Sequence, residues 1–204
     1  FGATGMLGQA LSRVARARGI DVVRAARSGT DVKVDLFDRD SILAAVADAA
    51  PDLIVNAAAK TDHDACEHDL AGAFAVNARA LAYMADAARG RGCKLVQVST
   101  DQFWSGDGSL AHAEEHPVSL LPGEYVRTKF AGEAFALTAP GALVARTNIT
   151  GLRGIAGSPT FIEWVFTQAE SGEPFRLFDD YFTSTIDTDA FAHALLDLAA
   201  TDAH

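Results

Sequence analysis

Three glycines at the head of the chain constrain this sequence more than any other feature: Gly2, Gly5 and Gly8, in the run Phe1-Gly2-Ala3-Thr4-Gly5-Met6-Leu7-Gly8. They stand at the start of residues 6–18, where Leu7, Leu11, Val14 and Ala15 recur at helical spacing. A strand that turns into a helix through such a run forms the anion-binding corner of a doubly wound parallel sheet. Glycine is needed there because the turn is tight, the backbone lies bare against a pyrophosphate, and helix and strand pack closely. The helix start contributes unpaired N–H groups and a partial positive charge. Glycine-rich turns are common, so the rest of the chain must give this one its meaning.

It does so through alternation. Residues 20–25 read as a short strand after Gly19, and 38–50 as a helix with a cap-rich start at Asp38-Arg39-Asp40-Ser41. Pro51-Asp52 precedes a buried strand at 53–55, and an alanine-rich helix over 69–89 ends at Gly90 and Gly92. A strand at 94–98 runs into Ser99-Thr100-Asp101, followed by a helix at 125–137 and a strand at 142–146. Beyond Arg146 come a loop with Gly151, Gly154 and Gly157, a helix near 159–168, a strand at 175–178 and a helix at 187–199. Apolar strands alternating with amphipathic helices predict an α/β fold, a Rossmann doubly wound parallel sheet. Residues 1–146 are expected to form its NAD(P)-binding domain, and 147–204 a small, incomplete C-terminal substrate-binding portion. Only Phe1 precedes the first glycine, and the chain stops at Ala203-His204 just after a helical pattern, so it is expected to be an incomplete view of a longer chain.

Composition narrows the function classes. With 204 residues, 49% hydrophobic and 22% charged, the chain is an ordinary globular sequence with no apolar run long enough to span a bilayer. A formal charge of −10 excludes a nucleic-acid footprint, which gathers positive charge. An anionic ligand therefore needs a local cluster of Lys, Arg and backbone N–H groups. Cys66, in a helical segment, and Cys93, in a strand-like one, lack metal spacing and read as buried free thiols of a cytoplasmic protein.

Several segments fall where a dinucleotide contacts such a sheet. Arg24, Arg27 and Ser28 follow the second strand, with no acid until Asp31. An acid at that point would favour NAD(H) by accepting the ribose hydroxyl, so its replacement by arginines favours NADP(H), with NAD(H) left open. Asp35-Leu36 offers a carboxylate and a backbone N–H to the adenine edge, though a plain helix-entry Asp fits the spacing as well. Asn56-Ala57-Ala58-Ala59 follows the third strand at the carboxyl edge, where small side chains let backbone approach a ligand. Tyr125 and Lys129, four residues apart, share one helix face, and Ser99-Thr100 ends the preceding strand. A phenol titrates near about 10, so a neighbouring ammonium is expected to favour its phenolate. Thr100 is placed to hydrogen-bond a substrate carbonyl, Lys129 to hold the nicotinamide ribose, and Tyr125 to protonate the forming alkoxide as hydride arrives.

Asn56-Ala57-Ala58-Ala59-Lys60-Thr61-Asp62, Ser99-Thr100-Asp101-Gln102-Phe103 and Tyr125-Val126-Arg127-Thr128-Lys129-Phe130-Ala131-Gly132-Glu133 resemble dTDP-4-dehydrorhamnose reductase, an extended short-chain dehydrogenase/reductase acting on nucleotide sugars. The resemblance implies catalytic roles for Thr100, Tyr125 and Lys129. It implies a substrate contact at Asp101, beside Thr100 and Tyr125, and cofactor contacts at Gly5, Met6, Leu7, Asp35, Leu36, Ala57, Ala58 and Ala59. With the glycine turn, the expected cofactor set is completed by Gly2, Thr4, Gly8, Arg27 and Lys129. Related 4,6-dehydratases carry Thr-Asp-Glu; here Gln102 stands third, and a neutral amide cannot remove water. Phe103-Trp104 is shifted by one residue from the family's aromatic pair, and Ile149 stands where a tryptophan is expected, which leaves the sugar open.

The implied activity is NAD(P)H-dependent reduction of a 4-keto nucleotide sugar in dTDP-rhamnose-type biosynthesis, with Arg127, Arg146 and Arg153 as candidates for the substrate diphosphate. The alternatives are a nucleotide-sugar epimerase and a non-catalytic NADP-binding regulatory subunit. The implied partner is a small-molecule nucleotide sugar, without nucleic acid or membrane, and with a homodimer left open. His63, His68, His112 and His116 read as solvated, Asn148-Ile149-Thr150 as a chance glycosylation pattern, and Asp179-Asp180 as a turn rather than a metal site.

Overall fold

The computed structural model describes residues 1–104, 111–118, 121–154, 159–179 and 183–203. Its first helix, α1 (Met6–Ala17), buries Leu7, Leu11, Val14 and Ala15, the stripe that defines the helical period. Two short strands follow, β1 (Ala25–Ala26) and β2 (Val32–Lys33), then α2 (Arg39–Ala49), whose start is capped by the Asp38 side chain accepting from the Asp40 N–H. β3 (Leu53–Asn56), β4 (Lys94–Thr100), β5 (Leu143–Thr150) and β6 (Thr185–Asp187) form a four-stranded parallel sheet in that order.

β1 and β2 pair separately, also in parallel. Phe1 and Gly2 join the two groups. The Phe1 amine donates to the Val55 carbonyl (2.7 Å), the Ala57 N–H to the Phe1 carbonyl (3.1 Å), and the Gly2 N–H to the Ala25 carbonyl (2.9 Å). The strand order through this bridge, β2-β1-(Phe1)-β3-β4-β5-β6, is that of a doubly wound sheet.

Helices cover both faces. Along β4, Leu95 enters a core with Ile42, Val46, Leu81 and Met84, while Val96 and Val98 enter another with Leu11, Val14, Phe191 and Leu195. That division follows from the two-residue period of a strand. On the second face α1 packs against α8 (Thr188–Ala199), and Arg13–Asp189 and Arg18–Asp197 ion pairs fasten the two. A cavity of about 500 Å³ is lined by residues such as Leu11, Val23, Val46 and Leu53 and extends to Ala3 and Gly8 of the glycine turn.

Four sequence expectations change. The alanine-rich helix is three pieces: α4 (Leu70–Phe74), a π-helical turn over Ala75–Arg79, and α5 (Ala80–Arg91), which runs through Gly90 and stops at Gly92 in the left-handed conformation (φ 72°). Ahead of it Cys66 lies in a helix as the sequence predicts, the separate α3 (His63–His68), started by Asp62 accepting from the Ala65 N–H. Of residues 20–25 only Ala25 enters a ladder, and Cys93 sits just before β4 rather than in it. Residues 175–178 form no strand, since no neighbouring strand offers hydrogen bonds; Phe178 is 86% exposed, and Phe175 packs edge-on against Trp164. Trp164 belongs to α7 (Phe161–Ser171), which opens with a reciprocal Thr160–Glu163 capping box. Gly157 and Asp180 lie outside the described residues.

Candidate active site

The glycine turn packs backbone against backbone. A Cβ on Gly2 (φ +78°) would stand 2.6 Å from the Ala58 nitrogen, and one on Gly8 would stand 2.1 Å from the Gly2 carbonyl oxygen. The turn therefore touches the Ala57–Ala59 segment directly, and no side chain fits between. Gly5 is the N-cap of α1 without a side-chain cap, and no acid occupies the first turn, so the N–H groups of Met6, Leu7 and Gly8 lack intrahelical partners. Thr4 lies exposed at the lip of the turn. This cradle fits a pyrophosphate.

Ala57–Ala59 is held by two buried amides that sequence reasoning passed over. Asn56 Oδ1 accepts from the Ala58 N–H (3.2 Å), and Asn56 Nδ2 donates to Gln97 Oε1 (2.7 Å). Asn77, in the π turn, accepts from the Lys60 N–H (2.8 Å) and donates to the Lys60 carbonyl (3.0 Å) and to Thr128 Oγ1 (3.1 Å). The extra residue of the π turn brings Asn77 against α6 (Gly123–Ala136). There Gly132 admits it: a Cβ would lie 2.1 Å from the Asn77 carbonyl oxygen.

α6 carries Tyr125 and Lys129. Its first turn is fixed by Glu67 from α3, whose Oε1 accepts from the Glu124 N–H (2.6 Å). Tyr125 and the end of β4 come together, as the sequence predicts, with the Thr100 hydroxyl near enough to act on the phenol as a hydrogen-bond donor. Burial nonetheless pushes the phenol above its ordinary pKa, the Thr100 hydroxyl and the nearby Asp101 charge acting in opposite senses. The expected phenolate-favouring ammonium is not realised, because Lys129 Nζ donates to the Val98 carbonyl (2.6 Å). Lys129 is 3% exposed, and burial lowers it to about 8 against the charge of Glu133, which raises it. A phenol kept neutral by burial is suited to act as a proton donor rather than a base.

Around this centre lie groups with partners the sequence does not announce. Asp101 Oδ2 accepts from Thr183 Oγ1 (3.0 Å), and Thr183 accepts in turn from Asn148 Nδ2 (2.8 Å). Asp101 Oδ1 is buried without a hydrogen bond. His63 is exposed, yet its ring lies 4.7 Å from that of Tyr125, and His112 stacks on Trp104 at 5.2 Å; these two are not simply solvated.

Three arginine expectations need correction. Arg146 does not reach outward for a diphosphate: its guanidinium pairs with Glu133 (2.7 Å) and lies 5.0 Å from the centre of the Phe103 ring. Arg127 pairs with Glu124 one turn back on α6 (2.5 Å). Arg24 is engaged by Asp31, with Nη2 to Oδ1 at 2.8 Å and its backbone N–H to Oδ2 at 2.9 Å, a clamp that holds Asp31 down at about 2. Arg27 is exposed beside it and pairs with no carboxylate among the described residues. Asp35 accepts from the Phe37 N–H (2.9 Å), while Leu36 packs on the core.

A parallel sheet with helices on both faces, and with its chemistry-bearing residues gathered at the carboxyl edge, defines a Rossmann-type α/β protein. The family model described as the RmlD substrate binding domain matches residues 1–204, and the chain belongs to that family. It is 35% identical over 164 residues to a dTDP-4-dehydrorhamnose reductase of Streptomyces griseus, covering 79% of this chain and 51% of the relative. It is 40% identical over 165 residues to a probable dTDP-4,6-dihydroxy-2-methyloxan-3-one 4-ketoreductase of Streptomyces antibioticus, covering 79% and 54%. Among solved structures, a hypothetical dTDP-4-dehydrorhamnose reductase from Sulfolobus tokodaii superposes with TM-score 0.84 at 31% identity, covering 97% of this chain and 70% of that one. The fold is shared with the Bacillus anthracis dTDP-4-dehydrorhamnose reductase solved in complex with NADP, with TM-score 0.86 at 23% identity, covering 98% and 69%. The chain thus spans about half the length of the curated relatives it matches.

Proposed function

We propose that this protein reduces a 4-keto nucleotide sugar with NADPH, NADH being the weaker cofactor, and that Tyr125 is the general acid. The observation that carries the reading is the gathering of Tyr125 and the buried Lys129 of α6 at the end of β4, where Thr100 is buried beside them. The names of its relatives supply the substrate class. The cradle of Gly2, Gly5 and Gly8, with Thr4, Met6 and Leu7, would hold the cofactor's pyrophosphate. Arg27 would face a 2′-phosphate, Asp35 and Leu36 the adenine, and Ala57, Ala58 and Ala59 the cofactor's flank. When bound, the dihydronicotinamide supplies hydride to the carbonyl carbon.

This chain's residues do the remainder. Thr100 donates to the carbonyl oxygen and orients it. Tyr125, kept neutral by burial, releases its proton to that oxygen as charge develops there, giving the alcohol; the phenolate left behind regains a proton from solvent. Lys129 presents a positive charge to the cofactor ribose. Asp101, with one oxygen tied to Thr183, offers the other to a sugar hydroxyl.

The two-part organisation, 1–146 for the dinucleotide and 147–204 for the substrate side, belongs to the same proposal and is supported by Thr183, itself held by Asn148, reaching Asp101. So do a cytoplasmic location and a homodimeric assembly, both resting on the family resemblance. No helix among the described residues is long and apolar enough to cross a membrane. The test is NADPH oxidation against a panel of nucleotide-diphospho-4-keto sugars: stoichiometric consumption is expected, whereas turnover of the sugar without net oxidation would establish an epimerase instead.

A further inference from the structure

Three ionisable side chains are buried together behind the proposed site. Lys129 and Glu133 are one turn apart on the inner face of α6, 3% and 4% exposed, and Arg146 reaches the Glu133 carboxylate from β5. The pairing is a fork: Arg146 Nε lies 3.1 Å from Glu133 Oε1 and Nη2 lies 2.7 Å from Oε2. The guanidinium also lies 5.0 Å and 5.1 Å from the ring centres of Phe103 and Trp104, in the turn directly after Thr100 and Asp101. An isolated ammonium as deeply buried as Lys129 loses most of its hydration and tends to shed its proton. The titratable groups around it are few. Its own helix presents Tyr125 and Glu133. β4 presents the Val98 carbonyl and the Thr100 hydroxyl, and Asp101 and Cys66 act on the tyrosine. Glu133 is thus the anionic group bearing on Lys129 itself.

We infer that Glu133 is a positioning residue: locked by Arg146, its carboxylate keeps Lys129 an ammonium seated on the Val98 carbonyl of β4 at the cofactor side, and couples the catalytic helix to the substrate turn. This rests on the reading of Lys129 as a cofactor-holding residue. It gives Arg146 a task inside the fold in place of the diphosphate contact suggested by its residue type.

The test is the dissociation constant of NADPH, read by fluorescence of the bound dihydronicotinamide in the full-length protein, from about pH 6.5 to about pH 10. Wild-type affinity is expected to fall as pH rises through about 8, where Lys129 loses its proton. In Glu133→Gln the midpoint moves down by about one pH unit or more, and in Lys129→Met the dependence vanishes. Should the single variant not fold, Glu133→Gln with Arg146→Met removes both members of the ion pair, leaves no guanidinium without its carboxylate, and is expected to show the same displacement. A midpoint unmoved in whichever variant folds overturns the inference. A loss of affinity uniform across pH marks a merely structural role and overturns it as well. Wild-type protein that binds no NADPH at any pH overturns the functional reading and this inference together; a bound cofactor with an unmoved midpoint overturns this inference alone.

Discussion

Replacing Gly132 with alanine tests whether the contact between α6 and the π turn sets the position of Tyr125 and Lys129. The new Cβ would stand 2.1 Å from the Asn77 carbonyl oxygen, where ordinary contact begins at 3.4 Å, so the two backbones must separate by about 1.3 Å. Forcing a methyl into such a contact costs about 1–3 kcal/mol, and the higher helix propensity of alanine returns about 1 kcal/mol. The net loss is about 0–2 kcal/mol, or up to about 8 °C in Tm for a chain of this size. Catalysis should suffer more than stability, because a displacement of about 1 Å in a reacting group costs about a hundredfold. The assay pairs a melting curve with the steady-state reductase rate. Full activity with a raised Tm would show that the close approach is not what places α6, and would refute the argument.

Tyr125→Phe is expected to lower kcat by about a hundred- to ten-thousandfold while leaving NADPH binding intact, as measured by turnover and fluorescence titration; an unaltered kcat would remove Tyr125 from the mechanism. Lys129 also makes a stability prediction. Its folded value of about 8 lies below the ordinary 10.5, so between these values the unfolded chain holds more protons and stability rises with pH. The Tm of wild type relative to Lys129→Met should therefore improve between about pH 7 and about pH 10, and a flat difference would contradict the burial of a charged lysine. Asp31→Asn should release Arg24 from its clamp and increase the preference for NADPH over NADH, scored as the ratio of kcat/KM values. A preference moved toward NADH would show that a released Arg24 does not join Arg27 at the 2′-phosphate. Ile149→Trp should change which 4-keto sugar is preferred without changing NADPH affinity, since Ile149 stands on β5, one residue from Asn148 and the Asp101 network.

Much of this protein was determined by sequence alone. Helical and strand periods are local, so α1, α2, β3 and β4 could be placed from the recurrence of residues such as Leu7, Leu11 and Val14 or Leu53 to Val55. The glycine turn and the Tyr125–Lys129 spacing are likewise local, and both stand where their patterns put them, at the carboxyl edge of a parallel sheet.

Tertiary structure decided the partners. Nothing in the neighbourhood of Arg146 announces Glu133, thirteen residues away in sequence, or the aromatic faces beneath it, and so an arginine that reads as a phosphate ligand is an interior cation. Asn77 looks like an ordinary residue of an alanine-rich helix until the π turn carries its amide to Lys60 and Thr128. Lys129 is chosen by sequence but its charge state is not, because desolvation and the field of Glu133 depend on what the fold packs around it. Periodicity is written in consecutive residues. The strength of a charge or a hydrogen bond is set by the dielectric and by the groups that long-range folding brings within reach.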